Sequence, residues 1–506
     1  MSLPSLIRAM CQPKFYHHPV SEPIQVVQTH ISFVILTGQY AYKIKKAVNF
    51  GFLDFSTLDL RFHFCHEEVR LNSRLAPDLY IGVVGITEDK ILENDLDIYT
   101  EQIVEYAVKM YQFDQTQLAV NLFNNGQFLP EYAEAIGKRL AHFHLTAMTN
   151  DYIASFGTAQ ALKAVADDNY VHTAKYVGIA QTQVQLEQTR AYTDQIFNSK
   201  AELFSERIQQ GKIRECHGDV HLQNICIYNN KIQIFDCIEF NEPFRNTDIL
   251  YDAAFLVMDL QFRGRADLAN IFLNTYLEIT NDYAGVQLLP LFCSLRAYVR
   301  AKVTSFLLDD PNINDTQKQS ALATAQKYYH LAWQYTRSQQ GRIFLMSGVS
   351  GSGKSTQAKV LAQEYNGIII RSDALRKHLA GIPLTEKGSP AIYTPAMTAQ
   401  VYQQLLELGL CLAQAGQTVI LDAKYDRASL RTAVISACNT KQIPVQIIYC
   451  SAPYPVLRDR LIQRQQANRD ITDATVDLLD QQLAQFEEFT PEEMPYLHSN
   501  TFSIRA

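Results

Sequence analysis

Residues 342–356 read Arg-Ile-Phe-Leu-Met-Ser-Gly-Val-Ser-Gly-Ser-Gly-Lys-Ser-Thr. The apolar run Arg342 to Met346 predicts a short strand, and it feeds the spacing Gly348-x-x-x-x-Gly353-Lys354-Ser355 of a P loop. Such a loop works through its backbone, because glycines let consecutive N–H groups turn inward around phosphate oxygens. Gly348, Gly351, Ser352 and Gly353 supply that cradle, and Lys354 reaches the terminal phosphates. Ser355 and Thr356 open the following helix, with the Ser355 hydroxyl placed to ligate Mg2+. Further apolar runs at 368–370, 418–421 and 445–449 alternate with helical patterns, which predicts a parallel sheet wrapped by helices.

Working outward, Arg371-Ser-Asp373-Ala-Leu-Arg376 follows the second expected strand. If Asp373 opens a helix, Asp373 and Arg376 lie three apart on one face. The aspartate is then a candidate base for an acceptor hydroxyl and the arginine a candidate holder of an anionic group. Val419-Ile-Leu-Asp422 ends the next strand on a carboxylate, the position of a Walker-B-type ligand for water or Mg2+. Arg458, Arg460, Arg464 and Arg469 crowd a later helix-to-loop segment, where Arg460 and Arg464 are candidates to close over phosphates and stabilise transferring charge.

A second station lies mid-chain at His217-Gly218-Asp219, Asn224 and Ile234-Phe-Asp236. Asp219 is a candidate base, while Asn224 and Asp236 offer oxygen ligands to Mg2+. His217 and His221 stand four apart, but Gly218 argues against the helix that a zinc pair at this spacing needs, so both read as loop-bracing partners. Upstream, Ala41-Tyr-Lys43-Ile-Lys45-Lys46 reads as a strand. One lysine is expected to meet nucleotide phosphates, paired with Glu68 of the following helix. Lys43 and Lys45 share a face, so a period of two does not choose between them.

At 506 residues the chain exceeds one ordinary domain, and 47% hydrophobic with 19% charged residues is a globular composition. A net charge of −7 argues against a nucleic-acid-coated surface, and no apolar run long enough for a membrane span or signal peptide appears. Nine cysteines without CxxC spacing read as reduced thiols in a cytoplasmic protein. Residues 24–110 look β-rich, with expected strands at 26–27, 33–36 and 41–45, a helix over 58–75 and an apolar run at 103–110. Helical patterns follow over 132–148, 159–198, 249–279 and 288–308, interrupted by a hairpin with Asn229-Asn230 at its turn. A small β-rich lobe before a larger helical one is the order of a bilobal kinase-like fold. The expectation is two domains, α+β then α/β: residues 1–338, with lobes of about 24–110 and 111–335, and a P-loop domain over 341–506.

Resemblance adds to this. Gly348–Ser355, Ser372-Asp373-x-x-Arg376, Leu421-Asp422-Ala423 and Arg460-x-x-x-Arg464 look like the P-loop small-molecule kinases of the gluconate-kinase, chloramphenicol-phosphotransferase and zeta-toxin types. In that group the aspartate matching Asp373 often serves as general base. His217–Asp236, with Asp248, Asp252 and Gly137–His144, resembles aminoglycoside phosphotransferase-like and choline-kinase-like proteins, which share the protein-kinase fold. In that family the acidic positions matching Asp248 and Asp252 are mostly structural. Leu36-Thr-Gly38-Gln departs from the protein-kinase glycine-rich loop, having one glycine. The order of modules is similar to that of bifunctional aminoglycoside phosphotransferase/ATP-binding proteins.

The reading is a tandem enzyme moving the γ-phosphoryl of ATP, with Mg2+, to hydroxyls of small molecules, without nucleic-acid or membrane partners. Two alternatives stand beside it: one module is a nucleotide-dependent regulatory sensor, or the chain is a toxin-like nucleotide-sugar kinase. For a polycationic acceptor, Glu239, Glu242 and Asp259 are the carboxylates to consider. For an anionic one, the cations to consider are Arg296, Arg300 and Lys302, which read more readily as a solvated face.

Overall fold

The computed structural model describes residues 3–92, 102–311, 313–467, 476–498 and 502–503. Packing divides the chain into two compact units, Met1–Val171 with Thr193–Asp259, and His172–Tyr192 with Leu260–Ala506.

The first unit is built on a six-stranded antiparallel sheet ordered β1-β2-β3-β6-β4-β5. The strands are β1 (Gln25–Gln28), β2 (Ser32–Leu36), β3 (Tyr40–Lys45), β4 (Tyr80–Ile86), β5 (Ile91–Leu92) and β6 (Glu105–Tyr111). Alternation along β3 decides what each face does. Tyr42 and Ile44 enter an apolar cluster with Ile7, Met10, Phe33, Ile35 and Val84. Lys43 and Lys45 therefore point to the other face, which is covered by helix Leu58–Asn72. That helix starts cleanly because the Thr57 side chain accepts the Leu60 N–H at 3.2 Å. The Tyr80–Ile86 strand, carrying two glycines, is the one long strand the sequence pattern did not announce.

Two small ladders complete the site of this unit: β7 (Ile213–Glu215) pairs with β10 (Asn246–Asp248), and β8 (Ile225–Tyr228) with β9 (Lys231–Ile234). Asn229 and Asn230 take φ of 51° and 58°, the paired positive values of the tightest hairpin turn. The expected single stretch over 159–198 is two helices, Ala159–Thr173 and Gln183–Ser199, parted around Gly178 at φ 80°. Likewise 249–279 breaks at Gly264, φ 79°, into Ile249–Phe262 and Ala266–Thr280.

The second unit holds a five-stranded parallel sheet ordered β12-β13-β11-β14-β15. Its strands are β11 (Arg342–Ser347), β12 (Ile368–Arg371), β13 (Thr418–Asp422), β14 (Val445–Ser451) and β15 (Phe502–Ser503). Phe344, Met346, Ile420 and Ile448 pack against Ala358, Leu361 and Ala362 of helix Lys354–Tyr365, so the helix behind the loop is fixed to the sheet by its own apolar stripe. The kinase-like first part and the P-loop sheet are the fold class expected from the sequence. Among the described residues no helix is long and apolar enough to cross a membrane.

Candidate active sites

In the first unit the four-rung β8–β9 hairpin brings its two ends together. Ile225 faces Ile234, and one step beyond, the Phe235 N–H donates to the Asn224 carbonyl at 2.9 Å. Asn224 and Asp236 thus leave the hairpin at the same end. Asp236 takes φ 63°, a left-handed conformation that costs a residue with a Cβ about 1–3 kcal/mol. The turn carries its carboxylate out to 45% exposure. The Asn224 amide donates to both the Asp219 carbonyl and carboxylate at 3.0 Å, and His221 Nε2 stands 3.2 Å from the same carboxylate.

The loop itself is braced from below. Asp252 accepts the backbone N–H groups of His217 (3.1 Å) and Gly218 (2.8 Å) and meets His144 Nε2 at 3.0 Å. Asp259 accepts from the Leu222 N–H at 3.0 Å. His217 Nε2 lies 3.0 Å from the Phe235 carbonyl and Nδ1 accepts the Asp219 N–H, which fixes one neutral tautomer. Burial lowers the His217 pKa, opposed by Asp252, Asp219 and Asp236, so all three carboxylates act on this one ring. His144, Cys216 and Asp252 come close enough to suggest a metal cluster, but Asp252 is already committed to the loop.

The two lysines of β3 separate. Lys43 Nζ bridges Glu68 Oε1 (2.7 Å) and Asp236 Oδ1 (2.5 Å), with 13% of its side chain exposed. Lys45 is 1% exposed and pairs with Glu68 Oε2 (2.6 Å) and Glu239. Burial alone would lift the Glu68 pKa, yet Lys43 and Lys45 outweigh it and hold the carboxylate ionised. At Glu239 burial prevails over Lys45 and the pKa is raised. In the sequence Glu239, Glu242 and Asp259 are the candidate carboxylates for a polycationic acceptor. The three have separate duties: Glu239 on Lys45, Glu242 on Arg245 and Tyr152, Asp259 on the Leu222 amide. The Thr37–Gln39 turn is closed, since the Gly38 N–H donates to Gln112 Oε1 at 2.8 Å and a Cβ there would meet Ser21 Oγ at 2.2 Å. Asp248 is paired with buried Arg207, a structural duty.

In the second unit the P loop joins β11 to helix Lys354–Tyr365. Gly348 has φ 140°, and a Cβ there would stand 2.3 Å from the Cys450 carbonyl, so only glycine lets β14 approach. Gly351 and Gly353 also take positive φ. Lys354 Nζ folds back on the Val349 carbonyl at 2.9 Å; burial lowers its pKa, opposed by Asp422, Cys450 and Asp373. Asp422 and Asp373 are therefore both within electrostatic reach of the lysine. Ser355 sits half-buried in the first helical turn, Thr356 is exposed, and the buried Ser352 hydroxyl has no hydrogen-bond partner among the described residues. Arg460 donates to the Gly351 carbonyl at 3.1 Å, lying over the loop. Arg458 is exposed, and Arg469 and the Arg464 side chain lie outside the described residues.

Arg376 is buried, donating to the Ile392 carbonyl (2.9 Å) and Thr398 (3.3 Å) beside the Tyr393 ring. Arg296, read with Arg300 and Lys302 as a solvated face, is buried as well. Sequence reasoning missed three partners: Glu239 for Lys45, Gln482, whose Oε1 accepts the Ser350 N–H at 2.9 Å, and Arg371 beside Asp422. None carries a local signal, because each acts across a long stretch of chain.

Residues 107–289 match the family described as Phosphotransferase enzyme family, and residues 343–489 the one described as AAA domain. Uncharacterized proteins of Mycobacterium tuberculosis and Mycobacterium bovis are 30% identical over 461 residues, 90% of this chain and 89% of theirs. Among solved structures, a choline/ethanolamine kinase family protein from Mesorhizobium loti is 11% identical, with 63% of this chain and 93% of that one covered at a TM-score of 0.36. A gluconokinase from Sinorhizobium meliloti is 22% identical, with 32% and 82% covered at a TM-score of 0.23.

Proposed function

We propose a function from one premise: the chain belongs to the family of those mycobacterial proteins, and it joins a phosphotransferase-enzyme-family domain to an AAA-type P-loop kinase domain. It is an ATP-dependent kinase acting on small molecules. The finer reading is that both stations transfer the γ-phosphoryl of ATP to a hydroxyl, over domains of residues 1–338 and 341–506. What chiefly supports it is the arrangement of Asp219, Asn224 and Asp236 at one end of the hairpin, with Lys43 and Glu68 beside Asp236.

In the first station Asp219 is the base. Its carboxylate, oriented by Asn224 and His221, takes the acceptor's hydroxyl proton. Lys43, held by Glu68, grips the nucleotide phosphates. In the second, the P loop from Gly348 to Ser355 and Lys354 bind the phosphates, Asp373 is the base, and Arg460 steadies charge over the loop. The oxygen donors fit Mg2+: Asn224 and Asp236 in the first station, Ser355 and Asp422 in the second. Bound there, the ion would neutralise charge on the phosphates. Arg376, committed to the Ile392 carbonyl and Thr398, braces that segment rather than touching phosphate.

The test is labelled ATP with a fractionated metabolite extract, run on the wild type, Asp219→Asn and Lys354→Ala. Each variant should abolish labelling of a different set of compounds, by about 10²-fold or more. If either leaves every labelled compound intact, that station transfers no phosphoryl group, it is a sensor, and the tandem reading fails.

A further inference from the structure

Helix Ala266–Thr280 presents Asn270, Asn274 and Glu278 four residues apart, hence in one row. That row runs along β12, the edge strand of the parallel sheet. Asn270 and Asn274 donate to the Gly367 carbonyl at 2.9 and 3.0 Å, and Asn274 Oδ1 accepts the Ile369 N–H at 2.7 Å. Where the row reaches the strand's end, Glu278 Oε2 lies 3.3 Å from Arg371 Nη1, and the Glu278 carbonyl lies 2.8 Å from His378 Nε2. Arg371 faces Asp422 in the parallel register, and its Nε stands 3.7 Å from Asp422 Oδ2. Asp422 is 4% exposed, so its charge is poorly screened. One guanidinium stands between two carboxylates.

We infer that Glu278 and Arg371 are positioning residues of the P-loop station. Glu278 takes a share of the Arg371 charge, which leaves Asp422 negative enough to hold the cation of a metal–nucleotide complex. The inference rests on Asp422 being the carboxylate that faces that cation. A planar guanidinium can serve two carboxylates at once through different nitrogens, and it stays charged at any working pH. Without Glu278, the charge of Arg371 falls on Asp422 alone and competes with the cation. Without Arg371, Glu278 has nothing to act through. The row of asparagines keeps the helix in register with the strand, so Glu278 arrives at the same place each time.

The experiment uses the full chain carrying Asp236→Asn, which leaves the P loop as the metal-dependent station, and measures binding of a fluorescent non-hydrolysable ATP analogue against Mg2+ concentration. Glu278→Gln should raise the Mg2+ needed for half-maximal binding about tenfold, a coupling ordinary for charged neighbours. Binding in EDTA should be unchanged, and Glu278→Asp should restore most of the loss. In an Arg371→Gln background, Glu278→Gln should change nothing further. A Glu278→Gln chain with unaltered Mg2+ dependence overturns the inference, as does an effect that persists without Arg371. If Lys354→Ala fails to remove the metal-dependent binding, the reading of the station itself is at fault, independently of Glu278.

Discussion

Lys43 and Lys45 lie on the same face of β3 and share Glu68, yet burial gives them different work. Lys45 is enclosed by Glu68, Glu239 and the Phe55 ring, with its ammonium 4.7 Å from the ring centre. Lys45→Ala leaves buried Glu239 without its cation and Glu68 with Lys43 alone, which costs about 3–5 kcal/mol. Without Lys43, Glu68 keeps Lys45 and Asp236 is half-open to water, so removing Lys43 is far cheaper for the fold. The expected outcome is a split. Lys45→Ala lowers the thermal midpoint by many degrees, while Lys43→Ala keeps the fold and loses nucleotide-dependent turnover about 10²-fold. Thermal denaturation beside a labelled-ATP assay reads both, and equal destabilisation by the two variants would refute the division. The sequence pattern puts both lysines on one strand face with Glu68 as partner, and the ion pairs join these residues, Lys43 reaching Asp236 as well. The pattern leaves the choice between the lysines open because period-two alternation says which face a residue takes and nothing about what closes over it. Glu239, two residues past buried Cys237, reads in the sequence as a carboxylate for a polycationic acceptor for the same reason: its partner is 194 residues away.

Edges of sheets need covering, and here a helix does it. β12 has β13 on one side only, and the Asn270–Asn274 pair supplies the hydrogen bonds that another strand would have made. The two asparagines are not equivalent. Gly367 O accepts from both, whereas the Ile369 N–H depends on Asn274 alone among the described residues. Asn274→Ala should therefore cost about 1–3 kcal/mol and speed exchange of the Ile369 amide; Asn270→Ala should cost about 1 kcal/mol and leave that amide protected. Amide exchange followed by mass spectrometry or NMR distinguishes them, and the reverse order would show that the edge is held by something else. At this scale the strands around the P loop and the Asn229-Asn230 hairpin were legible, since each has a dense local signature of apolar runs, glycines or turn residues. The covering helix was not. Asn-x-x-x-Asn-x-x-x-Glu on an otherwise apolar helix looks like a narrow wet stripe, and only the partner strand turns it into a seam.

Across the whole chain, motif order and packing draw different lines. Motifs suggest a boundary at polar Ser338–Gly341, whereas compactness joins Leu260–Thr280 and the helices after it to the P-loop sheet. The phosphotransferase-family match, at 107–289, runs across that packing boundary. Each proposed nucleotide station nevertheless draws its candidate charged residues from within one unit: Lys43, Glu68, Asp219 and Asp236 from the first, Lys354, Asp373, Asp422 and Arg460 from the second. Groups that share no partner contribute additively, within about 0.5 kcal/mol. The chain should therefore bind two nucleotides, and Lys354→Ala should subtract one of them while the other keeps its affinity to within about twofold. Lys43→Ala should weaken the complementary site, and the double variant should bind none tightly. Calorimetric titration with Mg2+ and a non-hydrolysable ATP analogue reads the stoichiometry directly. A single nucleotide in the wild type would mean that one P-loop or kinase-like station lacks a working triphosphate grip. Loss of both sites on changing Lys354 alone would mean that the two stations are coupled, and additivity would have to be abandoned.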